Sequence, residues 1–191
     1  MTDAAASFEV RLPSWLEAGP RDAARRFPTQ EARMAFVLEL AERNVDEATG
    51  GPFAAAVFAR GSGELVSVGV NLVVASGLAL AHAEVVALSL AERALGSFDL
   101  SEADVELVTS AEPCWMCLGA LHWAGVRSIV CGARDADVRA IGFDEGHKPE
   151  DWAGEFARKG VAVRCDVGRA EAIRVLARYR AAGGPIYNAA K

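Results

Sequence analysis

The sequence predicts a single α/β domain, a layered sheet with helices on both faces. Three observations predict it. An apolar, hairpin-like pair occupies residues 53–71, strand and helix patterns alternate from residue 105 onward, and no internal repeat or low-complexity linker interrupts the 191 residues. Residues 1–28 read as an irregular N-terminal extension punctuated by Pro13, Pro20 and Pro28, and residues 29–191 as the domain proper. Thr29-Gln30-Glu31 opens a helix in which Met34, Val37, Leu38, Ala41 and Val45 recur at helical spacing, and Gly50-Gly51-Pro52 ends it. Phe53–Arg60 and Leu65–Asn71 read as strands joined by a Gly61-Ser62-Gly63 turn, and Leu72–Leu80 as a connection. A helix follows over about Ala81–Leu95, with Gly96 as its stop. The remaining elements are a strand over 105–109, a helix over 114–124, a strand over 127–131, a strand over 161–164 and a last helix over 169–182.

Composition narrows the function classes. Hydrophobic residues make up 52% and charged residues 24%, values of a globular chain with a real core. The net charge of −6, with no cluster of Lys and Arg beyond Arg21, Arg25 and Arg26, argues against nucleic acid and for a small neutral or polar substrate. Leu65–Ala83 carries no charged residue, but Ser67, Asn71, Ser76 and His82 interrupt it, so it reads as buried core rather than a membrane span. The N-terminus has no positive region followed by an apolar run, and the expected location is the cytoplasm. Cys131 and Cys165 read as ordinary strand residues.

Cys114 and Cys117 are different. They open a helix, where free N–H groups favour thiolates, and with His82 they form a three-ligand set. Catalytic zinc takes three protein ligands and leaves a fourth position for water. No second CxxC pair is present to close a structural site. Glu84, two residues after His82, is placed to handle the proton of an activated water. His-x-Glu followed by Pro-Cys-x-x-Cys is the pattern of zinc deaminases, and here each half sits at the start of an expected helix, 32 residues apart.

The order of a helix, Gly50-Gly51-Pro52-Phe53, Asn71, His82-Ala83-Glu84 and Glu112-Pro113-Cys114-Trp115-Met116-Cys117 resembles the cytidine and deoxycytidylate deaminase superfamily. Ile141-Gly142-Phe143-Asp144-Glu145-Gly146, Pro149-Glu150-Asp151-Trp152 and Ile186-Tyr187-Asn188 are most similar to its bacterial guanine deaminase branch. The resemblance implies an α/β/α sandwich of three layers around a central mixed sheet, bound Zn2+, and hydrolytic deamination of a nucleobase, guanine to xanthine first among the candidates. It implies that Asn71 hydrogen-bonds the ring, that the main-chain N–H near Ala83 and the side chain of Phe53 help hold it, and that Glu145, with Asp144 as rival, moves a proton to the departing ammonia. It further implies a homodimer in which Tyr187 and Asn188 of the C-terminal tail line a partner's pocket.

Three positions depart from the family pattern. Leu78-Ala79-Leu80-Ala81 replaces a common Asp-Pro-Thr-Ala, Ala54 replaces a common Gly, and Trp115 replaces a small residue or Pro. Trp115 either stacks on the base or packs as bulk. His122 reads as packing, His147 as surface, and Trp123, Trp152 and Phe143 as core or interface. Other small aminated rings compete with guanine, including cytosine, guanosine, cytidine, an aminotriazine or a modified base in a biosynthetic pathway. The rival of a different class is a non-catalytic zinc-binding interaction module, which has no use for Glu84.

Overall fold

The computed structural model describes residues 7–17 and 25–188. Arg21 and Asp22, the tip of the tail and part of the N-terminal extension lie outside the described residues. The elements are α1 (Ser14–Glu17), α2 (Gln30–Asp46), β1 (Ala54–Ala59), β2 (Leu65–Val70), α3 (Val73–Ser76), α4 (Ala83–Leu95), β3 (Val105–Ala111), α5 (Trp115–Ala124), β4 (Ser128–Ala133), α6 (Asp135–Ala140), α7 (Trp152–Arg158), β5 (Ala162–Arg164) and α8 (Arg169–Ala181).

The strands form one mixed sheet in the order β2-β1-β3-β4-β5. β1 runs antiparallel to β2 and β3, while β3, β4 and β5 are parallel. The pleat sorts side chains onto two faces. Ala54, Ala56 and Phe58 join a core with Met34 and Val37 of α2 and Val175 and Leu176 of α8. Ala55 and Val57 join a second core with Ala87 and Leu88 of α4 and Leu118 and Leu121 of α5. The result is the expected three-layer sandwich. No helix among the described residues is long and apolar enough to cross a membrane, and Leu65–Ala83 is divided between β2, α3 and the start of α4.

Several local readings need correction. The 72–80 connection contains a one-turn helix, α3, closed by Gly77 at φ 67°. The extension also contains one turn of helix, α1, and Leu12 and Leu16 are buried against the first core. α6 and α7 have no counterpart in the sequence reading. Each is under two full turns and buries a single side chain, Val138 or Trp152, so neither leaves a hydrophobic period to detect. Trp152 is core; Trp123, for which core or interface was expected, is 81% exposed, and His122, expected to pack, sits beside it on the surface.

At the end of the sheet where β3 begins, Arg33 and Glu106 form a buried ion pair at 2.8 Å. The guanidinium also donates to the Phe27 and Arg60 carbonyls, and Glu106 accepts from Gln30 and Ser128. Every strong polar group of the pair thus has a partner, the condition under which buried charge is tolerated. Replacing Arg33 with Met is expected to destabilise the fold by about 3–5 kcal/mol, because Glu106 is left charged and buried. Arg33→Met with Glu106→Leu should recover much of that loss. Urea unfolding of the two variants measures both.

Candidate active site

The site lies at one edge of the sheet, where β2, β3 and β4 end. Asn71 follows β2, Glu112-Pro113-Cys114 follows β3, and the segment 134–148 follows β4. Phe53, just before the antiparallel β1, arrives at the same edge. Ligands of open α/β sheets bind outside strand carboxyl ends for this reason, since consecutive connections converge there.

Two helix starts supply the donor atoms. His82 is the N-cap of α4 and Cys114 the N-cap of α5, and neither side chain caps its own helix. α4 reaches the sheet because Gly69 of β2 has no side chain. A Cβ there would lie 2.2 Å from the Ala83 carbonyl oxygen and 2.6 Å from the Ala87 nitrogen. His82 Nδ1 stands 3.5 Å from Cys114 Sγ and 3.6 Å from Cys117 Sγ. One imidazole nitrogen and two sulfurs, all within 4.8 Å of one another, are a soft, three-ligand donor set that suits zinc, and three protein ligands would leave a further position for water.

That cavity, of about 260 Å3, is lined by His82, Glu84, Cys114, Glu145, Asn71 and Phe53, among others. Glu84 is buried in the first turn of α4. Burial and the Cys114 sulfur push its carboxyl above the usual range, opposed by His82. Cys114 is drawn down to about 4 by hydrogen bonding from Cys117 and by His82, whereas Cys117, sharing its proton with Cys114 in a desolvated place, is pushed up. His82 is raised: burial works against its charge, and the Cys114 hydrogen bond and Glu84 outweigh it. These are the properties of the protein groups alone; a divalent cation on the three ligands would hold both sulfurs as thiolates.

Glu145 and Asp144 differ sharply. Glu145 is buried, and its carboxyl is pushed up to about 8 by burial and the Cys114 sulfur, with Lys148 working against them. Asp144 also borders the cavity but is engaged by Arg139 at 3.4 Å and by the Gly146 N–H at 3.0 Å. Asn71 is buried, and its side-chain oxygen accepts from the Val73 N–H at 3.3 Å while its amide borders the cavity, so it both caps a turn and faces the site. Phe53 meets Phe143 edge to face at 5.1 Å. Ala83 is buried behind the cavity wall, leaving only its main chain for the role expected of it. Trp115 is not part of the cavity. It projects from the outer side of α5, 58% exposed, over Gly146 and beside His147.

Tyr187 and Asn188 of the tail line the cavity of their own chain. Asn188 accepts from the Asp144 N–H and donates to the Gly142 carbonyl. Tyr187 packs on Phe143 at 4.9 Å, and its buried hydroxyl has no hydrogen-bond partner. A Cβ on Gly51 would lie 2.2 Å from that hydroxyl.

Three residues of the site surroundings carry no sequence signal. Asn44, fully buried, ties the Gly51 carbonyl to the Asn71 carbonyl through its amide at 2.8 and 3.0 Å. Lys148, whose side chain is only 7% exposed, donates to the Pro113 carbonyl at 3.1 Å and pairs with Asp135 at 3.0 Å. Arg134 reaches Glu112 at 2.9 Å. Each is an isolated polar residue in sequence and gains meaning only from partners far along the chain. Among the departures, Ala79 borders the cavity, Leu80 is 60% exposed, and Ala54 is buried in β1.

The chain is similar to known proteins in sequence and in fold. The sequence profile of the cytidine and deoxycytidylate deaminase zinc-binding region matches residues 28–133. A guanine deaminase of Bacillus subtilis is 40% identical over 115 residues, covering 60% of this chain and 71% of that protein. A guanine deaminase structure from Nitrosomonas europaea is 48% identical, covering 92% of this chain and 97% of its own, with a TM-score of 0.86. A structure of NE0047 in complex with 2,6-diaminopurine, also 48% identical, covers 95% of this chain and 97% of its own with a TM-score of 0.88.

Metal analysis is expected to find one zinc per chain, lost when Cys117 is replaced by Ala. Glu145 supplies a second test in chelator-treated protein. Its folded pKa of about 8 exceeds its ordinary 4.5, so the folded state keeps a proton that the unfolded state gives up between those values. Stability therefore falls as pH rises through that window. Glu145→Gln removes this slope, so the variant should gain on the parent from pH 4.5 to about 8 and hold a constant lead above it. Thermal unfolding as a function of pH measures the difference.

Proposed function

We propose that this chain, which belongs to the cytidine and deoxycytidylate deaminase family, converts guanine and water into xanthine and ammonia with zinc as its cofactor. The observation that carries the reading is one small cavity lined by two buried carboxylates, Glu84 and Glu145, together with His82 and Cys114, two of the three clustered donors. The guanine deaminases similar to this chain give the substrate, and the purine 2,6-diaminopurine bound to a similar structure has the same ring system.

His82, Cys114 and Cys117 would hold the ion. When bound, zinc supplies the Lewis acidity that makes water a nucleophile at neutral pH. Glu84 takes the proton of the attacking water and delivers it to the ring nitrogen beside the amine-bearing carbon. Burial raises the proton affinity of this carboxyl, which suits a group that takes a proton and then passes it on. Glu145, which also lines the cavity and has an elevated pKa, hands a proton to the leaving amine. Asn71 holds the polar edge of the ring through its amide. Phe53 and Phe143 supply an apolar wall, and the unpartnered Tyr187 hydroxyl offers the substrate a hydrogen bond that the protein leaves unused. The structure of the non-catalytic alternative would have no need of two carboxylates buried around the ligands.

We place the protein in the cytoplasm as a homodimer. Its four cysteines are free of disulfides, and Trp115, Trp123 and Phe98, 58%, 81% and 84% exposed, present apolar area that a second copy would cover.

Ammonia release from zinc-loaded protein, measured against guanine, guanosine, cytosine, cytidine, adenine and an aminotriazine, tests the reading. Release from guanine above all others is expected. Glu84→Ala should keep its zinc and lose about 10²–10⁴-fold or more in kcat. Asn71→Ala should act mainly through a raised KM. Zinc lost together with Glu84 would make that residue structural, and silence toward every ring would overturn the assignment.

A further inference from the structure

Cys131 and Cys165 meet across two neighbouring strands. β4 and β5 pair in register through Val130 and Arg164, which places Cys131 and Cys165 next along the same ladder. The Val167 N–H donates to the Cys131 carbonyl at 3.2 Å, and Asp166, at φ 64°, turns the chain just after Cys165. Their sulfurs lie within 4.8 Å of one another, together with a carboxylate oxygen of Glu112. Neighbouring strands run about 4.7–4.9 Å apart, inside the Cα separations of about 4.4–6.8 Å that a disulfide spans.

The trio has the composition of a metal site, but Glu112 is already engaged. One of its oxygens accepts from Arg134 at 2.9 Å, and the other accepts from the Asp135 N–H at 3.1 Å and faces Lys148 at 3.5 Å. A cation would have to displace two others. The sulfurs have no such competitor.

We propose that Cys131 and Cys165 form a thiol–disulfide site, separate from the zinc ligands, that low-molecular-weight disulfides oxidise to an intrachain bond. The two residues divide the chemistry. Cys131 is fully buried on β4, while Cys165 is half-buried at the end of the edge strand, where a reagent can reach it. The neighbouring Cys131 thiol and Arg134 lower Cys165, whereas Cys165 and burial raise Cys131 against the pull of Arg134. Cys165 is thus the attacking thiolate. It attacks one sulfur of the reagent disulfide, forming a mixed disulfide and expelling one reagent thiolate. The Cys131 sulfur then attacks Cys165 Sγ, its proton passing to the expelled thiolate, and the second reagent thiolate leaves. Two protein thiols and one reagent disulfide become one protein disulfide and two reagent thiols. Two electrons pass from the pair to the reagent. Neither sulfur lines the catalytic cavity, so the chemistry does not depend on the deaminase reaction.

The test exposes the zinc-loaded full chain to oxidised glutathione, traps remaining thiols with an alkylating agent, and reads intact mass and cross-linked peptides. The expected result is the loss of two alkylatable thiols, a single peptide joining Cys131 to Cys165, and full reversal by dithiothreitol. Cys165→Ser should lose the reaction altogether. Cys131→Ala, whose first step is intact, should stop at a glutathione adduct on Cys165. A stable adduct on Cys165 in the parent protein would overturn the proposal, as would a cross-link through Cys114 or Cys117, or no reaction. So would a second equivalent of bound zinc that Cys165→Ser abolishes, which would make the pair a metal site.

Discussion

Two helices begin at the same edge of the sheet, and neither spends its N-cap side chain on itself. His82 and Cys114 occupy the cap positions of α4 and α5 without hydrogen-bonding the first turns behind them. Their free donors, with Cys117 one turn into α5, face each other instead. The geometry depends on how closely α4 can approach β2, and Gly69 sets that distance, because a methyl group there would collide with the Ala83 carbonyl. His82, Glu84 and Cys114, all from these two helix starts, line the cavity.

Charge is organised around both ends of the strands. Where β3 begins, Arg33 and Glu106 are sealed among hydrogen-bond partners. Where β3 ends, Glu112 is held by Arg134 and Lys148, and Lys148 also holds the Pro113 carbonyl. This second network joins the turn carrying Cys114 to the segment carrying Glu145, whose main-chain oxygen accepts from the Trp115 N–H at 3.0 Å. The two halves of the site are therefore braced against each other by groups that do not themselves border the reacting atoms in the case of Arg134 and Lys148. Glu112 and Lys148 are both buried and both paired, the condition under which buried charge is tolerated.

Much of the fold was legible because its long elements carry strong periods. α2, α4 and α8 repeat apolar residues along one face, and the Gly61-Ser62-Gly63 hairpin joins two strongly apolar runs. α3, α6 and α7 were not legible, since one or two turns give too few residues for a period to emerge. The site divides the same way. His82-Ala83-Glu84 and Pro113-Cys114-x-x-Cys117 are local patterns whose chemistry is written in their spacing. Trp115 lies within such a pattern yet points away from the cavity, because its position on the first turn of α5 faces solvent. Spacing along a chain tells which residues share a turn, and only the packing of that turn tells which way each one looks.

By itself the sequence determined the layered architecture, the three metal donors and the carboxylate beside them, because each is specified within a few residues of backbone. The tertiary structure alone decided what depends on distant partners. It set Glu145 apart from Asp144 by burying one and pairing the other, brought Tyr187 over the chain's own cavity, and laid Cys165 beside Cys131. Burial and proximity between residues far apart in sequence are properties of the packed chain, and no local pattern records them.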